Sequence, residues 1–568
     1  MHEIIIFCFI SSTISYSAGY IFLNYLAQLK IDYKNNITIY FIYGFIFISF
    51  LSLLINFFLP LDKNVNSVFG IFFLFFFFNI LKKENYKEIL FYLLIVTFFS
   101  SLILVVSEAN RPDAGLYHLP YTNIINENKI ILGAANIHFR FGHTSIIQYL
   151  NAFNLNYLFT EKGILIPQAQ VIICVIIYFF REYFNQIRTS NKLFLKVFLF
   201  FIILFSLYSY NRYGSFGNDA SSNIFYILLV YEFLKLNEIK ELKLKNLFNI
   251  LYLSVFCFTL KPFMLLSFLF PLTIILIYKK NLKVIFYNRN FLITFFLLFI
   301  FFLKNILISG CLIYPQKLTC IDNLSWGNKF RTQSEAVLGE AWSKDWSNFK
   351  NYNQIHPKNY IENFVWFKTW TKHHFKTVLN KFLPFFVLST ILGLFLRIKL
   401  KKNYTNSKNN LKQNQILTVG IVIILFSLII WFCKFPIYRF GSGFFGSFFV
   451  LSLSCILTNN INNKNIKIFN NLKFVLFFFI FLILIKNFDR IYKNYNLKYV
   501  DHPWPKIYSF TENNKKKEYE IVKKGDKLLF YKVSDGLCMY GKSPCTYYVE
   551  QKINMKYTNG YKVYYIIN

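Results

Sequence analysis

The chain has 568 residues, 55% of them hydrophobic and only 16% charged, with a mean hydropathy of +0.40. That balance excludes a water-soluble globular protein and calls for lipid around much of the surface. The formal net charge of +35 would point to nucleic acid in a soluble chain, but much of the lysine lies in short loops between apolar runs, where it sets membrane topology, so no nucleic-acid partner is expected.

A helix needs about 20 residues to cross the hydrocarbon core, and the apolar segments repeatedly approach that length. Four come first, near 3–27, 37–59, 65–81 and 88–106. Ten more follow a polar stretch, near 163–180, 193–210, 223–235, 246–259, 263–278, 290–309, 379–399, 416–433, 443–457 and 471–487. The expectation is an all-α polytopic membrane protein of about 14 transmembrane helices. Segments 223–235 and 246–259 are short for a full crossing and leave re-entrant hairpins open. The first run follows only His2 and Glu3. It lacks a basic flank and a small-residue cleavage site, so no removable signal peptide is expected.

The basic loops set the expected orientation. Lys30 with Lys34, Lys82 with Lys83 and Lys87, Arg181 with Arg188, Lys240 to Lys245, Lys279 to Arg289, Arg397 to Lys412, and Lys464 with Lys467 all fall on one side when spans are counted. The positive-inside rule makes that side cytoplasmic. Both termini, residues 211–222, the loop 310–378 and the tail 488–568 then face outward with the stretch 107–145. Residues 144–160 are too polar to span and read as an amphipathic helix on the outer surface. The expected domains are a helical bundle over 1–487, carrying outer loops 107–162 and 310–378, and a C-terminal α/β or β-rich cap over 488–568. Alternating runs such as KLLFYKV and GYKVYYIIN, with turns at Gly525-Asp526 and Asn559-Gly560, give the cap its strands. Five tryptophans in the loop 310–378 (Trp326, Trp342, Trp346, Trp366 and Trp370) read as an interfacial belt, with sugar stacking as the alternative. No internal repeat of the kind that pairs transporter halves is visible.

Of nine cysteines, Cys8, Cys174, Cys257, Cys433 and Cys455 fall in apolar segments and behave as small hydrophobes. The other four form close pairs in outer segments. Cys311 with Cys320, and Cys538 with Cys545, are expected as disulfides of an oxidising compartment; no His or third Cys lies near either pair to favour zinc.

Chemistry is expected in residues 107–145, SEANRPDAGLYHLPYTNIINENKIILGAANIHFRFGHTS, the one long stretch of the N-terminal third that cannot lie in lipid. It gathers Glu108, Arg111, Asp113, His118, His138, Arg140 and His143, with Gly115, Gly133 and Gly142 allowing close backbone approach. Asp219, Lys261 and Arg439 stand where later spans meet the same face. Charges at membrane depth are costly and are usually retained for a pathway or a site. Two carboxylates with two cations suit a substrate made of an acceptor plus a phosphate, which Arg439 would grip with forked donors and Lys261 as a point charge. The plain alternatives are a solvated connecting loop and helix-end snorkelling by Lys261 or Lys434; snorkelling accounts poorly for Asp113 and Asp219.

The run from Asp113 to Phe153 resembles the signature of an uncharacterised bacterial multispanning membrane family: Asp-x-x-Leu-Tyr-His, then Lys-Ile, Gly-x-x-Asn-x-His and Arg-Phe-Gly. SGCLIYPQKLTCIDNLSW at 309–326, FPIYRFGSG at 435–443 and GLCMYGKSPCT at 536–546 are similar to its later blocks, in the same order. Behind that family stands a looser similarity to the GT-C superfamily of membrane glycosyltransferases, which use polyprenyl-phosphate sugar donors. The resemblance implies a GT-C-like bundle in a bacterial inner (cytoplasmic) membrane with a periplasmic active face. It would transfer a sugar from a polyprenyl-phosphate donor to a periplasmic or lipid-linked glycan acceptor in cell-envelope polysaccharide biosynthesis. Asp113 would be the general base, and Asp219 would orient the acceptor or share a divalent cation with it. Lys261 and Arg439 would neutralise the leaving phosphate, and His118, His138 and Arg140 would contact sugar or phosphate. The alternatives are a non-catalytic lipid-linked glycan transporter or flippase, which needs the same pocket without a base, and a structural envelope protein.

Overall fold

The computed structural model describes residues 1–29, 37–107, 112–189, 193–214, 216–238, 242–278, 282–350, 355–401, 411–458, 466–495, 502–508, 518–524, 527–533, 537–547 and 552–567. All fourteen apolar segments are helical, because a chain in hydrocarbon can satisfy its peptide groups only within itself. Among the described residues ten helices are long and apolar enough to cross a membrane, and Leu193–Ser209, Leu244–Leu260 and Pro262–Ile277 are shorter apolar ones. The chain is a multi-pass membrane protein. Its spans are not equivalent. The apolar window of Glu161–Arg188 is 94% buried, so protein surrounds that helix, whereas the window of Ile468–Tyr495 is 17% buried and faces lipid.

The first two spans, His2–Ile21 and Ile39–Asn56, pack backbone against backbone. A Cβ on Gly19 would stand 1.8 Å from the Tyr40 carbonyl oxygen, and one on Gly44 would stand 1.8 Å from that of Ser15. Small residues of this kind are how helices approach closely where lipid offers no hydrophobic drive to associate.

The N-terminus, the outer loops and the tail meet at one end of the bundle. Trp504 Nε1 donates to Glu3 Oε2 at 3.2 Å, the Val106 N–H donates to the Pro503 carbonyl at 2.8 Å, and the Met539 N–H donates to the Gly115 carbonyl at 2.9 Å. The tail folds into two antiparallel hairpins: β1 (Glu520–Lys524) with β2 (Lys527–Lys532), and β3 (Ile553–Thr558) with β4 (Tyr561–Ile566). Asn559 and Gly560 turn the second hairpin with φ of 50° and 75°, as their sequence predicts; the Gly525-Asp526 turn lies outside the described residues. β4 extends onto the outer loop. The Leu132 N–H donates to the Lys562 carbonyl at 3.0 Å, and the Tyr564 N–H donates to the Leu132 carbonyl at 2.9 Å.

Both expected disulfides, Cys311–Cys320 and Cys538–Cys545, are formed. Each closes a short loop and should contribute about 2–3 kcal/mol in the chain-entropy view. Mass mapping of non-reduced peptides is expected to recover both linked pairs. Four free thiols at these positions would remove the argument for an oxidising compartment.

Three expectations are corrected. Residues 144–160 do not form a surface helix: the helix Ile146–Phe153 is only eight residues long, and all eight are buried. Polar groups at its two ends are bonded internally; Ser145 and Gln148 form a capping box, and Asn154 Oδ1 accepts from Ser11 Oγ at 2.9 Å. Nor do all the tryptophans form a belt. Trp366 and Trp370 are buried and pack on Phe432, with ring centroids 5.7 and 5.1 Å away. Finally, the boundary at 487/488 falls inside the helix Ile466–Tyr495, since no helix-breaking residue interrupts that stretch.

Candidate functional site

Five charged side chains from five separate segments form one alternating ladder. Arg140 Nη1 lies 3.1 Å from Asp113 Oδ1, Arg439 Nη2 lies 2.6 Å from Asp113 Oδ2, Arg439 Nε lies 3.4 Å from Asp219 Oδ2, and Lys261 Nζ lies 2.5 Å from Asp219 Oδ1. Each side chain keeps between 13% and 27% of its surface exposed, so the ladder is partly exposed rather than sealed in the core.

Local structure explains each position. Asp113 enters a π-turn, Ala114–His118, which leads into Leu119–Glu127 with Pro120 in its first turn. Arg140 sits in the 3-10 turn Phe139–His143, its N–H donating to His138 Nδ1 at 3.1 Å. Asp219 opens the helix Asp219–Lys235, where the N-terminal dipole favours a carboxylate. Lys261 is extended at the break that Pro262 imposes after Leu244–Leu260. Its ammonium lies 3.3 Å from the centroid of the Phe440 ring. Arg439 opens the span Tyr438–Thr458, and two indoles fix the approach to it: Trp370 Nε1 donates to the Pro436 carbonyl at 2.7 Å and Trp431 Nε1 to the Ile437 carbonyl at 2.9 Å. Asn223 ties two segments together, donating to the carbonyls of Asp219 and Arg439, each at 2.8 Å.

The electrostatics follow from this arrangement. Burial pushes the Asp113 carboxyl upward, but Arg439 and Arg140 outweigh it and hold the group below its usual value, so it is ionised. His118 is driven down to about 4 by burial, against the pull of Asp113 and Asp219, and is neutral. His138 and His143, lowered to about 3 and about 4 by burial with Arg140 adding to the effect, are neutral too.

Six of the seven expected site residues therefore gather: Asp113, Asp219, Arg140, Lys261 and Arg439 in the ladder, and His118 beside it. The His118 ring lies tilted against that of Tyr117, centroids 4.1 Å apart, and the Arg140 guanidinium stands 5.3 Å from the Tyr117 ring. His138 stands apart. It is fully buried and supports the Arg140 backbone, so it is a positioning residue rather than a contact for sugar or phosphate. Glu108 and Arg111 lie outside the described residues. Lys434 pairs with Glu340 at 3.0 Å instead of joining the ladder. No group of three His, Cys, Asp or Glu side chains suited to a metal is found among the described residues. Asp113 and Asp219 are already bridged by Arg439, so this donor set does not suit a divalent cation.

Sequence reasoning missed several supports. Lys304, fully buried in the span Arg289–Ser309, donates to the carbonyl and the hydroxyl of Thr144 at 3.0 and 2.8 Å and so anchors the end of the outer loop. A lone lysine in FFLLFIFFLKNILIS was the available signal. Neutral amides such as Asn223 and Gln148 carry no comparable signal.

A family model described as a domain of unknown function, DUF8201, matches residues 1–446. The chain belongs to the DUF8201 family. No curated protein and no solved structure was similar to it. The matched span of this DUF8201 member contains the whole ladder and stops just past Arg439, whereas the hairpin that clasps Leu132 lies beyond it.

Proposed function

We propose that the protein is a GT-C-like glycosyltransferase of about 14 membrane crossings, transferring a sugar from a polyprenyl-phosphate donor to a glycan acceptor at the periplasmic face of a bacterial inner membrane. The observation that supports this reading most directly is the composition of the ladder. Three cations face two carboxylates at a partly exposed site, which leaves positive charge for an incoming phosphate and an ionised carboxylate beside it.

In the resting ladder Asp113 is a weak base, because two guanidinium groups stabilise its ionised form. A donor phosphate bound between Arg140, Arg439 and Lys261 competes for the same N–H groups and loosens their hold. Asp113 then regains basicity and takes the proton of the acceptor hydroxyl. The acceptor oxygen bonds to the anomeric carbon as the bond from that carbon to the phosphate oxygen breaks, and Arg439 with Lys261 receives the charge on the departing phosphate. Asp219 keeps both cations in position throughout. A lipid-glycan transporter would use the same cations but would ask no proton transfer of Asp113.

Orientation can be tested separately. Reporter fusions at Asn568 and Lys408 are expected to give periplasmic and cytoplasmic signals respectively, from the asymmetry of the basic loops. The opposite pattern would overturn the periplasmic placement of every ladder residue, since all of them share one face.

A further inference from the structure

We propose a second anion site, at the outer end of the lipid-facing helix Ile466–Tyr495, that binds the phosphate of a membrane lipid. A cavity of about 230 Å³ opens there, with Arg212, Lys486, Arg490 and Lys493 in its wall and Asp489 as its one carboxylate. Lys486, Arg490 and Lys493 are spaced by four and then three residues, which stacks them along one stripe of the helix. Arg212 faces them from the loop that leads to Asp219.

Among the described residues the cavity is short of negative charge. Asp489 is engaged by Lys493 at 2.8 Å. Lys486 donates only to Asn211 Oδ1, at 2.9 Å, and Arg490 donates to the carbonyls of Val105 and Leu102, both at 2.8 Å. The Nε of Arg490 is buried without a partner among the described residues. Like charges held this close repel unless an anion joins them.

The position favours an amphiphile over a free ion. Ile485, Phe488 and Tyr492, on the neighbouring face of the same helix, are 49%, 56% and 76% exposed. That face suits acyl chains, and the cationic stripe then meets the headgroup level. The site also braces both loops of the ladder. Arg490 holds the chain at Leu102 and Val105, just ahead of the loop carrying Asp113, and Asn487 Nδ2 donates to the Asn211 carbonyl at 2.9 Å in the loop leading to Asp219.

This inference stands whether or not Asp113 is a base, and its test involves no turnover. The purified full chain would be analysed by native mass spectrometry after incubation with phosphatidylglycerol, with phosphatidylcholine, or with inorganic phosphate. Phosphatidylglycerol is expected to be retained preferentially. R212Q and K486Q should each weaken that retention about fivefold, and the double variant about thirtyfold, taking the usual contribution of one interfacial cation. Arg490 is left intact because its bonds to backbone carbonyls make it structural, and size-exclusion profiles would report folding of each variant. R212K, which keeps the charge, should restore most of the binding if a variant proves poorly folded. Equal retention of the two lipids, or undiminished phosphatidylglycerol binding by a folded double variant, would show plain snorkelling and overturn the site. Complete displacement of phosphatidylglycerol by inorganic phosphate at equal concentration would overturn the lipid assignment.

Discussion

Asp113→Asn is expected to reduce sugar transfer by about 10²–10⁴-fold while the protein still inserts and accumulates normally. The substitution keeps the shape of the side chain and an acceptor oxygen for Arg140 or Arg439, but removes the carboxylate that the proposed mechanism uses as its base and leaves Asp219 bound to Lys261 and Arg439. Arg439 keeps Asp219 as a counter-charge, and water reaches both residues, so the fold loses little. The measurement is surface glycan in a deletion strain complemented with the variant, with membrane abundance followed in parallel. Full glycan at normal abundance would remove the catalytic role and leave the transporter reading in its place.

Arg439→Ala is expected to behave differently, lowering kcat/KM by roughly 10²-fold through both binding and turnover. Among the described residues Arg439 alone pairs with both carboxylates, and its fork would contact the donor phosphate before and during transfer. Raising the donor-lipid concentration should therefore restore part of its activity, and should restore none in Asp113→Asn. Arg439→Lys should lose less than Arg439→Ala, since a point charge is kept and only the fork is lost. An Arg439→Ala defect that no amount of donor relieves would place the residue outside the phosphate contact.

The ladder was legible in the sequence because ionisable groups are costly in a chain destined for lipid. Asp113, Asp219, Lys261 and Arg439 stand out against apolar neighbours, and counting spans brings their ends to one face. The same logic found the helices and both disulfides. It failed where the physical signal is shared between two environments. The apolar rhythm of Ile146–Phe153 suits a helix lying on a membrane as well as one buried among others, and only the bonded state of Gln148 and Asn154 separates the two. Trp366 and Trp370 have the composition of a belt, but their burial depends on Phe432 and Pro436 some sixty residues away, a contact no local pattern encodes. His138 looked like a ligand by residue type, and its work on the Arg140 backbone is visible only in three dimensions. The five-member pairing order of the ladder likewise depends on crossings from five segments, which spacing along the chain cannot supply.

The clasp of β4 on Leu132 also sets a timetable. Asn136 Nδ2, one residue group beyond that bridge, donates to the Tyr564 carbonyl across a sequence separation of 428 residues. At ordinary synthesis speeds of about 5–20 residues per second, this loop is made roughly 20–90 s before the strand that completes it. Through that interval Leu132 and Asn136 wait for their partners in β4, so the segment that carries Asp113 takes its final bonded form only after nearly the whole chain has been made.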